Sequence, residues 1–131
     1  MRQLTRRIGK HHDAELSKAG LRATQYALLW AIAQVGPLRP SRLADLMMMA
    51  PSTLSRAMRP LEAAGWIRLG TGADARTRTV FITAAGKRKQ LEAQPHWHAG
   101  QRKLHARLGL ELVSQLDARI DQALERLAIA R

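Results

Sequence analysis

The sequence predicts a mainly α-helical fold with one small β-hairpin. Three observations carry that expectation. Apolar residues recur every three or four positions along most of the chain, and the period falls to two only near residues 66–69 and 77–82. Glycine, proline or hydroxyl residues stand at the ends of the implied helices. The chain has 131 residues, 46% of them hydrophobic and 24% charged, the makeup of one globular domain that can bury a core without a covalent staple. It contains no cysteine, which removes disulfides, thiolate catalysis and cysteine-rich zinc sites.

Taken in order, Leu4, Ile8 and Leu16 sit at helical spacing among charges, and Gly20 supplies a stop, which predicts an amphipathic helix over residues 2–19. Residues 24–35 are apolar on nearly all sides (Tyr26, Leu28, Leu29, Trp30, Ile32, Val35), as in a helix packed centrally, and Gly36-Pro37 ends it. Ser41 reads as the N-cap of a short helix reaching Met47. Ala50-Pro51-Ser52-Thr53 opens the next, whose buried face is Leu54, Met58 and Leu61, with a kink expected at Pro60 and closure at Gly65. A strand over 66–69, a loop over 70–76 and a strand over 77–82 form a hairpin with a basic tip. Thr83 then caps a long helix carrying Lys87-Arg88-Lys89, with a break or kink expected at Pro95. Leu104, Leu108, Leu112, Leu116, Ile120, Leu124 and Leu127 continue a stripe too long for a small isolated domain to cover.

Charge narrows the function. Lys and Arg number 22 against 10 Asp and Glu, a net +12, and such an excess attracts polyanions, nucleic acid first. The surplus is +4 over residues 1–35, +4 over 36–86 and +5 over 87–109, but residues 110–131 carry −1, so the last segment serves another purpose. The longest apolar run, residues 26–33, is far short of the ~20 residues that span a bilayer. Residues 1–20 are charged throughout and lack the pattern of a secretory signal, which predicts a cytoplasmic protein without a membrane partner.

Two short helices joined by a few residues, the second flanked by Ser52, Thr53, Ser55, Arg56 and Arg59, have the pattern of a helix-turn-helix. Hydroxyls and arginines at the start of such a helix suit base edges in the major groove, where an arginine held bidentate to guanine discriminates by ~1–3 kcal/mol. In the hairpin, Arg76 at the tip suits a narrow minor groove, Asp74 would orient a nearby arginine, and Arg78 adds charge beside them. Catalysis has no support. The Gly70-x-Gly72 pair lacks a third glycine and precedes a strand rather than a helix, Gly86-Lys87 lacks the earlier glycine of a phosphate-binding loop, and no zinc-protease or nucleophile-elbow motif occurs. No cofactor is expected.

The stretches Ser41-Arg-Leu-Ala-Asp-Leu-Met, Pro51-Ser-Thr-Leu-Ser-Arg56, Leu61-Glu-Ala-Ala-Gly65-Trp-Ile-Arg, Asp74-Ala-Arg76 and Ile82-Thr-Ala-Ala-Gly86 resemble the MarR family of bacterial transcription regulators over residues ~20–90. The resemblance implies a winged helix-turn-helix lobe on a helical dimerisation lobe, in a homodimer that binds pseudo-palindromic operators and often answers small aromatic or anionic molecules. It implies DNA contacts for Ser52, Thr53, Ser55 and Arg56 and a wing role for Asp74 and Arg76. Met48 stands where many relatives have glycine, Ala50 replaces the usual serine, and Thr71 takes the place of a second wing aspartate.

The expectation is one domain over 1–131, with a DNA-binding lobe at 21–90 and a dimerisation lobe formed by 1–20 and 91–131. The unmet apolar stripes supply a separate argument for the dimer, through Leu4, Ile8, Leu112, Leu116, Ile120, Leu124 and Leu127. Tyr26, Trp30 and Trp97 are the candidate lining of an effector pocket between the lobes. Of His11, His12, His96, His98 and His105, the His96-x-His98 pair could chelate, but no Asp, Glu or Cys lies beside it to complete a metal site, and surface or pocket-lining roles are expected for the histidines. The resulting function is a homodimeric, sequence-specific repressor released by an effector. The rival is a winged-helix interaction or assembly module without sequence-specific DNA binding.

Overall fold

The computed structural model describes residues 1–71 and 77–129. Six helices and one hairpin follow in the order α1 (Arg2–Leu16), α2 (Ala23–Val35), α3 (Pro40–Leu46), α4 (Pro51–Ala63), β1 (Ile67–Thr71), β2 (Arg78–Ile82), α5 (Ala84–Leu108) and α6 (Leu110–Ile129). A single 3-10 turn, Ser17–Ala19, extends α1 to Gly20, whose φ of +75° lets the chain reverse into α2.

α2 is the central element, with Tyr26, Leu28, Leu29, Ala31 and Ile32 all buried. Its start is held from outside: the Asp13 carboxylate on α1 accepts from the Ala23 N–H at 2.7 Å, and the Gln25 side chain accepts from the Arg22 N–H at 2.9 Å. Leu16, Leu43, Leu54, Leu61, Ile67, Val80 and Ala93 close around it. The two strands pair antiparallel with Ile67 opposite Ile82, Arg68 opposite Phe81 and Thr71 opposite Arg78. Leu38 adds one antiparallel bridge to Val80, tying the entry of α3 to the hairpin.

Several local expectations change. Ser41 is not the N-cap: α3 begins at Pro40, Arg39 holds the cap position, and no side chain caps the helix. Leu38, bridged to Val80, already fixes the approach of the chain, and proline at the first position presets φ. α4 runs through Pro60 to Ala63, and α5 runs unbroken through Pro95 over all of Ala84–Leu108. An interior proline costs ~3 kcal/mol, and α5 offsets it because packing grips the helix on both sides of Pro95. Upstream, Gln90 and Ala93 are buried; downstream, Gly100 lies against His12 of α1. The real break comes at Gly109, φ +87°, which divides the long leucine stripe between α5 and α6. Within that stripe and its N-terminal counterpart, Leu104 and Leu16 are buried in the chain's own interior.

Candidate nucleic-acid interface

α4 separates its two faces cleanly. Leu54, Met58 and Leu61, spaced i, i+4 and i+7, are buried, while Ser52, Thr53, Ser55, Arg56 and Arg59 are all exposed. The helix starts on Pro51 without a side-chain cap, and the exposed hydroxyl residues Ser52, Thr53 and Ser55 fall within its first five positions. Among the described residues no carboxylate lies in ion-pair range of Arg56 or Arg59. The face is therefore cationic at its middle and rich in hydrogen-bond donors at its start. Arg39 and Arg42 of the preceding helix are exposed as well.

The turn into α4 is tight. Met48 holds a left-handed φ of +53° with its side chain 93% exposed, and the Met49 N–H reaches back to the Ala44 carbonyl at 2.9 Å. On the hairpin, Arg78 is exposed at the start of β2; Asp74 and Arg76 lie outside the described residues.

The hairpin is anchored to the long helix by one residue. Thr83 Oγ1 accepts from the Gly86 N–H at 3.0 Å and donates to the Gly65 carbonyl at 2.6 Å, joining the start of α5 to the end of α4. Gly86 is obligatory there, because a Cβ would collide with the Trp66 carbonyl oxygen.

Behind this surface, Tyr26, Trp30 and Trp97, joined by Ala27, Gln94 and His98, line a cleft of about 400 Å³ between α2 and α5. Trp97 stacks between His12 of α1 at 5.5 Å and Tyr26 of α2 at 6.1 Å, and His98 meets it edge-on at 5.3 Å. His12 is buried, with Nε2 at 2.9 Å from the Gln101 Oε1. Among the described residues no three His, Asp or Glu side chains converge on a point that would hold a metal ion.

α1 is clamped to α5 by Glu15, which is buried and contacts both Lys103 and, at 3.0 Å, Lys18. The hydrogen bond from the Lys103 ammonium, then that from Lys18, hold the Glu15 carboxyl down to about 2, against the opposing effect of burial. Beyond this clamp, Leu4, Ile8, Ala14, Leu104 and Leu108 floor a groove of about 380 Å³ edged by Arg7, Lys10, His11 and Arg107. The outer face of α6 leaves Leu112 43%, Ile120 53%, Leu124 59% and Leu127 69% exposed, with Leu116 half-buried.

The MarR family model matches residues 21–69, the span from the start of α2 into β1. A solved structure of the M. tuberculosis transcriptional regulator MosR in complex with DNA is 30% identical, covering 96% of this chain and 93% of that one, with a TM-score of 0.77. The chain belongs to the MarR family.

This MarR-family transcriptional regulator shares its winged-helix fold with a cysteine-to-serine mutant of E. coli MarR solved with operator DNA. That match has a TM-score of 0.85 at 18% identity, over 94% of this chain and 89% of the other. An uncharacterized HTH-type transcriptional regulator of Bacillus subtilis, YwoH, is 27% identical over 90 residues, which is 69% of this chain and 66% of that protein's length. Within this MarR-family member, Gln94 and His98 of the cleft and Arg7, Lys10 and Arg107 of the groove belong to no motif. Only the pairing of α1 and α2 with α5 brings them to these positions. No helix among the described residues is long and apolar enough to cross a membrane.

Proposed function

We propose that the chain is a homodimeric, sequence-specific repressor that acts in the cytoplasm on pseudo-palindromic operators. The observation that carries this reading is the exposed face of α4, where Ser52, Thr53, Ser55, Arg56 and Arg59 stand together while the opposite face is locked in the core. A helix fixed in this way can enter a major groove without reorganising, and its hydroxyls and guanidinium groups match base edges. Asp74, Arg76 and Arg78 serve the wing, with Arg76 in the minor groove and the others beside it. In the one-domain arrangement, residues 21–90 read DNA, while 1–20 and 91–131 join the copies.

The dimer reading is supported by surface chemistry. α6 presents an apolar stripe flanked by Asp117, Asp121 and Glu125, and the groove between α1 and α5 is apolar with a basic edge. Each suits the other across a two-fold axis, in an interface using Leu4, Ile8, Leu112, Leu116, Ile120, Leu124 and Leu127. Two recognition helices then lie about 34 Å apart, one turn of the duplex. The cleft lined by Tyr26, Trp30 and Trp97 is the site for a small aromatic or anionic effector whose binding shifts the lobes and releases the operator.

Selection of bound duplexes from a random pool identifies the operator. Arg56→Ala is expected to weaken operator binding by about 10- to 100-fold, as loss of one bidentate base contact requires, with a much smaller effect on random duplex. Equal losses on both duplexes would remove Arg56 from base reading, and a wild-type protein indifferent to every duplex at low salt would overturn the function.

A further inference from the structure

Arg68 ends the Leu61-Glu-Ala-Ala-Gly65-Trp-Ile-Arg stretch but has no role assigned above, yet its surroundings are built for it. It is the second residue of β1 and faces Phe81 directly across the hairpin, on the side away from the core-facing pair Ile67 and Ile82. Its guanidinium carbon lies 4.1 Å from the centroid of the Phe81 ring. Phe81 is the one phenylalanine of the sequence, and it is half-buried beneath this cation instead of joining the core. The far end of the side chain passes over Gly70, where a Cβ would stand 2.9 Å from Nη1. Gly70 has no positive φ that would call for glycine, so the open space above its backbone is what its missing side chain supplies.

The consequence is a displaced charge. Arg68 is rooted near the base of the wing, but its Nη1 reaches to within 2.9 Å of the Cβ position of Gly70, the next residue on that face toward the tip. Among the described residues no carboxylate lies in ion-pair range of it. The guanidinium lies over the Phe81 ring on a residue that stays exposed, and the N–H edge of a guanidinium grips phosphate oxygens in pairs. Strand alternation sets Arg78, opposite Thr71, on the other face of the hairpin from Arg68. A wing entering a minor groove has a phosphate backbone on each side, and these two arginines supply one cation toward each.

We propose that Arg68 is a DNA-backbone contact, its guanidinium positioned toward the wing tip by stacking on Phe81 over the bare backbone of Gly70. The proposal rests on the DNA-binding reading above. A stacked arginine has already surrendered most of its rotamer freedom, so it binds phosphate with less further ordering than a free surface arginine. As a backbone contact it adds affinity without sequence preference.

The test is the salt dependence of binding to an operator selected by the wild-type protein, and to random duplex, with thermal unfolding of each variant measured in parallel. Arg68→Gln is expected to reduce the magnitude of the log–log salt slope by about 0.9, one phosphate's worth, and to weaken both duplexes by a similar factor. Gly70→Ala keeps every charge but places a methyl group 2.9 Å from Nη1, which pushes the guanidinium off its place, and should weaken binding several-fold without lowering the melting temperature. A salt slope unchanged in Arg68→Gln overturns the contact, even if the variant is less stable, because a purely structural staple would lower the melting temperature and leave the slope alone. Wild-type binding absent at every salt concentration overturns the DNA reading itself, a result distinct from binding with an unaltered slope.

Discussion

Glu15 shows how one side chain can hold two helices and set a pH dependence. Its carboxylate is buried between the ammonium groups of Lys103 and Lys18, and its pKa falls from 4.5 to about 2. A depressed folded-state value means the clamp contributes fully above about pH 4.5 and is lost as pH drops toward 2. Glu15→Gln is therefore expected to melt at lower temperature than wild type at pH 7 and at nearly the same temperature near pH 2, measured by calorimetry. A constant gap between the two across that range would show that the ion pairs contribute nothing. Met48 illustrates a different residue-scale cost. It adopts the left-handed conformation, and its side chain gains no burial there. The turn geometry thus prevails over side-chain preference, at a strain of ~1–2 kcal/mol for a residue with a Cβ.

Among the elements, the start of α5 is the tightest joint. The Ile82-Thr-Ala-Ala-Gly86 stretch could be read from sequence as a strand end and a helix cap. The Thr83 cap appears as expected, but its second bond, to Gly65, and the close approach of Gly86 to Trp66 could not be read. Both contacts join α5 to a turn about twenty residues earlier, a distance local patterns do not encode. Gly86→Ala must push backbone away from backbone, so a loss of about 2–3 kcal/mol, the upper range for overpacking, is expected in urea denaturation. An effect within 0.5 kcal/mol, the usual size for surface changes, would mean the joint is loose. The prolines teach the converse. By local rules Pro60 signals a kink and Pro95 a break or kink, and both lie inside continuous helices because packed neighbours on either side outweigh one missing hydrogen bond.

At the scale of the molecule, the chain leaves its C-terminal helix largely uncovered. Ile120, Leu124 and Leu127 are each more than half exposed, and covering what remains exposed of each is worth roughly half to two-thirds of the ~1.5–3 kcal/mol of a full burial. Three such side chains amount to a large part of a domain's ~5–15 kcal/mol stability. Replacing Ile120 and Leu124 together by Asp is expected to give a protein that sediments as single protomers, keeps a cooperative melt, and binds the operator about 100-fold or more weakly, since two linked half-site contacts become one. A variant that still sediments as a dimer would move the interface away from α6.

The sequence by itself determined the helix periods, the change of period at the wing, the buried and exposed faces of α4 and the cationic excess. Each of these is a local property, set by which residues stand two, three or four positions apart. Tertiary structure alone decided that α5 ignores Pro95, that Glu15 lies between two lysines, that the aromatic cleft closes between α2 and α5, and that Arg68 carries its charge toward the wing tip. Those depend on which surfaces meet after the chain folds back on itself, where one Cβ or one ion pair between distant residues outweighs any preference of the local segment.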